Sequence, residues 1–118
     1  MRPLKILIAD DNEDNKAILE RYLRRAGHAI TAVSDGKQCV ERSLEEAFDI
    51  LLLDMNMPVL DGWKAAEQIR ARKSYKELPI IALTAFAMEG DREKCCDAGC
   101  SDYLAKPVDF NSLTEMLE

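Results

Sequence analysis

Residues 49–54 read DILLLD, four large apolar residues in a row closed at each end by an aspartate. A strand with one wet face alternates apolar with polar, whereas a strand covered on both faces is apolar throughout. The run therefore predicts a strand inside a parallel sheet flanked by helices. KILIA at 5–9 has the same character, and LPIIALTA at 78–85 repeats it, with Pro79 at its start, where a missing N–H is tolerated. HAITAVS at 28–34 alternates and predicts a shorter, more exposed strand, and DYLA at 102–105 a fifth.

Between these runs the pattern is helical. Over 12–26 the apolar positions Ala17, Ile18, Tyr22 and Leu23 fall about a turn apart, and Gly27 follows as a stop. Asn12 has the chemistry of an N-cap, and Glu13 and Asp14 suit the positive end of the helix dipole. Further helices are predicted over 35–47, over 62–73 with Ala65, Ala66 and Ile69 inward, over 87–98 with Gly99 as its stop, and at the C-terminus through Phe110, Leu113 and Leu117. Strand and helix alternate five times without repeat or linker. The fold expected is a single α/β domain over 1–118: a three-layer α/β/α sandwich with five helices around a five-stranded parallel sheet.

Composition narrows the function. The chain has 118 residues, 47% of them hydrophobic and 32% charged, and no apolar run near the roughly 18–20 residues of a spanning helix, so a cytoplasmic protein is expected. Twenty-two acidic against 16 basic residues give a formal charge of −6, which disfavours nucleic acid and anionic membrane as partners. Cys39, Cys95, Cys96 and Cys100 lack a second CxxC or a His pair at zinc spacing and read as reduced, buried thiols. Lone His28, just after Gly27, reads as an exposed loop residue, and Trp63 as cover for a helix start.

In doubly wound sheets function gathers beyond the carboxyl ends of the strands. Asp10 and Asp11 end strand one, Asp54 ends strand three, Thr84 ends strand four, and Lys106 follows strand five. In the strand order 2-1-3-4-5, strands one and three are neighbours and the three carboxylates converge. Their repulsion would raise a pKa or demand a cation, and a few hard oxygen ligands describe Mg²⁺. An aspartate beside Mg²⁺, a lysine and a hydroxyl can act as nucleophile toward a phosphoryl group, with Asn56 offering its backbone carbonyl to the metal.

The blocks ADDNEDN, LLLDMNMPVLDGW, IIALTAFA and AGCSDYLAKPVDF, in this order and spacing over essentially the whole chain, resemble the receiver domain of bacterial two-component response regulators, and are similar to the chemotaxis response regulator. The resemblance implies that Asp54 is the phosphoacceptor, charged from phosphohistidine on a sensor histidine kinase or a histidine phosphotransfer protein. It implies that Asp11 binds Mg²⁺ directly, Asp10 mostly through water and Asn56 through its carbonyl. Thr84 would bond a phosphoryl oxygen, Lys106 would pair with the phosphoryl group, and the Lys106–Pro107 bond would be cis. Tyr103 would turn inward as Thr84 moves, changing the surface of the fourth helix, fifth strand and last helix, where a downstream protein reads it.

Three other functions meet obstacles. A flavodoxin-like electron carrier shares the topology, but DDNEDN would repel the phosphate of a flavin nucleotide. A haloacid-dehalogenase-type phosphatase wants a second Asp where this chain has Asn56. A pseudo-receiver serving only as an interaction module typically lacks a site acid or the lysine, and none is missing here. The expected protein is a switch that catalyses only its own phosphorylation and dephosphorylation, as a single-domain regulator or as a receiver from a hybrid kinase or larger regulator.

Overall fold

The run at 49–54 becomes the centre strand of the sheet. The computed structural model describes residues 3–55, 62–73, 77–84, 93, 97–105 and 110–117. Within them lie, in chain order, β1 (Lys5–Ala9), α1 (Glu13–Arg25), β2 (Ala29–Val33), α2 (Gly36–Glu45), β3 (Ile50–Asp54), α3 (Gly62–Arg70), β4 (Ile80–Thr84), β5 (Asp102–Ala105) and α4 (Phe110–Leu117). The sheet is parallel throughout, in the order β2-β1-β3-β4-β5. Four helices thus have defined spans among the described residues. Of the helix expected over 87–98, Glu93, Asp97 and Ala98 are helical and the remainder lies outside them.

The pleat divides the core in two. Leu7, Leu51, Leu53, Ile80 and Ala82 pack with Cys39 of α2 and Ala65, Ala66 and Ile69 of α3. Ile6, Ile8, Leu52, Ile81, Leu83 and Leu104 pack on the other side with Leu19 and Leu23 of α1 and Leu113 of α4. All five residues of β3 are buried, as are all five of β4, because neither face of these strands meets water. β2 is an edge strand, and its Ala29 and Ala32 are exposed.

Helix ends follow local chemistry. Asn12 is the N-cap of α1: its side-chain oxygen accepts the Asn15 N–H at 3.0 Å. Asp35 does the same for α2, accepting the Gln38 N–H at 2.8 Å. Gly27 closes α1 with φ 99°, a left-handed conformation open to glycine.

Two expectations are corrected. The buried stripe of α1 is Lys16, Leu19 and Leu23, while Ala17 and Ile18 face outward, Ile18 at 53% exposure. Leu19 and Leu23, four apart, bury more surface than Ala17 with a β-branched neighbour. They set the rotation of the helix, and Lys16 enters the interface with its aliphatic stem. His28 is buried rather than looped out. Its Nδ1 accepts the Leu4 N–H at 3.0 Å, while the Leu4 carbonyl oxygen accepts the Ala29 N–H of β2 at 2.9 Å, so the imidazole satisfies a backbone donor of the chain entering β1. Cys39 and Cys100 are buried thiols outside any disulfide, as expected, and burial pushes the Cys39 thiol up to about 12.

Candidate metal and phosphoacceptor site

Strand register brings the acids together. Ala9 pairs with Leu53, so one step further along both strands sets Asp10 beside Asp54. Both are buried, at 0% and 2% exposure, while Asp11 is exposed at the rim. One carboxylate oxygen from each of the three lies within 4.8 Å of the others. Three like charges at that spacing repel by roughly 3 kcal/mol per pair at a near-surface effective dielectric. The three form a cluster of hard oxygen donors at the mouth of the sheet, the donor set that suits Mg²⁺.

The helix start holds this arrangement. Asp10 Oδ1 accepts the Asn12 N–H at 2.9 Å, and the Asp10 N–H donates to the Val33 carbonyl oxygen at 3.2 Å. Asp10 is therefore tied to the loop on one side and to β2 on the other. Glu13 turns away from the cluster. Its carboxylate accepts Lys16 Nζ at 2.8 Å, and the hydrogen bond and charge of Lys16 hold it below the usual carboxylate range. Lys16 Nζ also donates to Ser34 Oγ, so one buried lysine fastens the first turn of α1 to the segment after β2. The apolar pattern of α1 does not reveal this lysine. Its only signal was a position three residues before Leu19, on the face that proved to be buried.

Thr84 is buried at the end of β4, and Asp54 pairs with the residue before it, Leu83. Ala82 pairs with Tyr103 and Thr84 with Ala105. By the two-residue pleat Thr84 shares the sheet face of Ala82, and Tyr103, half-buried, packs against the same core. Thr84 and Tyr103 thus lie on one face of adjacent strands, two residues out of register. Asn56, Lys106 and Pro107 lie outside the described residues, as does the bond expected to be cis; Ala105, the residue before Lys106, ends β5.

A parallel 2-1-3-4-5 sheet with an acid cluster at its carboxyl edge, two members buried and one at the rim, defines a doubly wound α/β domain with a candidate cation site at the switch between β1 and β3. Residues 6–118 match the response regulator receiver domain family. The chain belongs to that family. It is similar to the receiver domain of the sensor histidine kinase PA1611 from Pseudomonas aeruginosa PAO1, solved with a magnesium ion coordinated in its active-site cleft. Identity is 43% and TM-score 0.89, over 98% of this chain and 95% of that one. The Saccharomyces cerevisiae receiver domain of Ssk1, solved in complex with the histidine phosphotransfer protein Ypd1, is 33% identical with TM-score 0.88, over 97% and 86% of the two chains. Among curated proteins, the histidine kinase BarA of Escherichia coli K12 is 37% identical over 114 residues, which are 97% of this chain and 12% of BarA. The chain thus spans a small fraction of such a relative's length.

Proposed function

We propose that this receiver, residues 1–118, accepts a phosphoryl group on Asp54 from a phosphohistidine and changes its surface in response. The observation that carries the reading is the convergence of Asp10, Asp11 and Asp54, from two strands and 44 positions apart in the chain, on one edge of the sheet. In the transfer, an oxygen of the Asp54 carboxylate attacks phosphorus. A P–O bond forms as the P–N bond breaks, and the imidazole leaves with the electron pair. Water later attacks the acyl phosphate and returns the carboxylate and inorganic phosphate. The acid cluster fits Mg²⁺, which Asp11, Asp54 and the Asn56 carbonyl would hold with Asp10 in support; bound there, the ion would supply positive charge against the phosphoryl oxygens.

The rest belongs to this chain's residues. Lys106 pairs with the phosphoryl group, and Thr84 donates its hydroxyl to one of its oxygens. That draw on Thr84 is felt by Tyr103 on the same sheet face, a population shift between two positions of the ring. The donor is a sensor histidine kinase or a histidine phosphotransfer protein. A downstream protein reads the surface formed by the helix within 87–98, β5 and α4. No helix among the described residues is long and apolar enough to cross a membrane, in keeping with action in the cytoplasm. We take the chain as a signalling switch rather than an enzyme acting on external metabolites.

The test is incubation with acetyl phosphate, with and without Mg²⁺, read by intact mass. One phosphoryl group should be gained only with Mg²⁺, and not by Asp54→Asn. Labelling without Mg²⁺, or full labelling of Asp54→Asn, defeats the proposal.

A further inference from the structure

Gly62 opens α3, yet what it touches belongs to the site. A Cβ built on it would stand 2.5 Å from Met55 Cα, 2.6 Å from the Asp54 carbonyl oxygen and 2.9 Å from Met55 Sδ. Two of these are backbone atoms, which cannot swing aside as a side-chain end can. The Gly62 N–H also donates to the Met55 carbonyl oxygen at 3.1 Å. Met55 in turn is fully buried, and its N–H donates to the Leu83 carbonyl oxygen at 3.1 Å, which continues the β3–β4 ladder one step past Asp54. The backbone carrying Asp54 therefore lies between β1 and β4 in the sheet, with the glycine packed directly against it.

We propose that Gly62 is a positioning residue for the phosphoryl-transfer site: its bare Cα seats α3 directly on the Asp54–Met55 backbone and sets the place of the Asp54 carboxylate. The hydrogen bond between Gly62 and Met55 joins the end of β3 to the start of α3 beside Asp54. A methyl group at 62 has to displace either the Asp54–Met55 backbone or the start of α3. Either movement misplaces the nucleophile. Gly27 offers the contrast. It has φ 99° with nothing within 4 Å of a built Cβ, so Gly27→Ala strains the fold without pressing on anything near the acids.

The inference rests on the reading of Asp54 as phosphoacceptor, and the experiment separates the two. Wild type, Gly62→Ala and Gly27→Ala are compared for thermal stability, Mg²⁺ affinity and the rate of phosphorylation by acetyl phosphate. Gly62→Ala should weaken Mg²⁺ binding and slow labelling by about tenfold or more, the scale expected when reacting groups shift by a fraction of an ångström to an ångström. Gly27→Ala should lose stability while keeping both parameters. The double variant Gly62→Ala/Met55→Ala, which removes Sδ but leaves the two backbone collisions, should not recover the rate. A Gly62→Ala protein with native Mg²⁺ affinity and rate overturns the role of Gly62 alone; a wild type that takes no label overturns the site reading and this role with it. Should Gly62→Ala fail to fold, hydrogen exchange of the native chain decides: the Gly62 amide should be protected and become more so on Mg²⁺ binding. Exchange of that amide at a free-loop rate, unchanged by Mg²⁺, overturns the proposal.

Discussion

Asp10, Asp11, Glu13 and Asp14 lie within five positions of one another, yet their surroundings give them different work. Asp10 is buried and bonded to the helix start; Asp11 stands at the rim with its oxygen toward the cluster; Glu13 is spent on Lys16. Metal affinity should therefore divide the same way. Asp11→Ala should weaken Mg²⁺ by about 100-fold or more, since even supporting groups around a ligand are worth 10–100-fold. Glu13→Ala and Asp14→Ala should stay within about twofold, because a solvated charge outside the cluster acts only through screened, long-range field. Mg²⁺ titration followed by Trp63 fluorescence checks this, the indole being half-buried next to Gly62. A Glu13→Ala protein as impaired as Asp11→Ala would return Glu13 to the site. The division was legible in the sequence because capping chemistry claims Asn12 and its neighbours, leaving the two strand-end acids over. What could not be read was the bond from Lys16 to Ser34, which joins residues 18 positions apart and depends on how α1 is rotated.

That rotation is the element-scale question. Residues 17, 18, 19, 22 and 23 are all apolar or aromatic, wide enough around the helix to fit more than one inward face. The apolar positions read a turn apart are Ala17, Ile18, Tyr22 and Leu23, whereas the sheet takes Leu23 together with Leu19 and leaves Ala17 and Ile18 outside. α3 left no such freedom: Ala65, Ala66 and Ile69 form a single narrow face, and all three are buried. Leu19→Ala should therefore cost about 2–5 kcal/mol, the range for deleting a buried leucine, whereas Ile18→Ala at 53% exposure should cost no more than about 0.5 kcal/mol. Urea unfolding of the two variants separates the alternatives, and a larger loss for Ile18→Ala than for Leu19→Ala would mean that α1 turns Ile18 rather than Leu19 toward the sheet. β3 and β4 were read correctly for the opposite reason. Strands buried on both faces need no choice of face, so a run such as ILLL is decisive by itself.

On the scale of the molecule, strand order was legible only because it brings acids from distant positions to one edge. Pattern alone sets five strands and their direction, not which are neighbours. The same convergence carries an energetic consequence. The unfolded chain keeps Asp10 and Asp54 apart, so their repulsion burdens the folded state alone, and a cation bound between them favours that state alone. At a Mg²⁺ concentration of 100 times the dissociation constant the gain is about 2.7 kcal/mol. For a domain of this size that corresponds to a rise in Tm of roughly 10 °C. Asp54→Asn removes one charge with almost no change of shape, so two opposite effects should follow from it. Without Mg²⁺ the variant should melt above the wild type, because a buried repulsion is relieved; on addition of Mg²⁺ it should gain much less, so the two melting curves approach or cross. Calorimetry with and without Mg²⁺ reads both. A variant that melts below wild type in chelator and gains the full increment with Mg²⁺ would show that the Asp54 carboxylate is neither opposed by its neighbours nor bound to the ion.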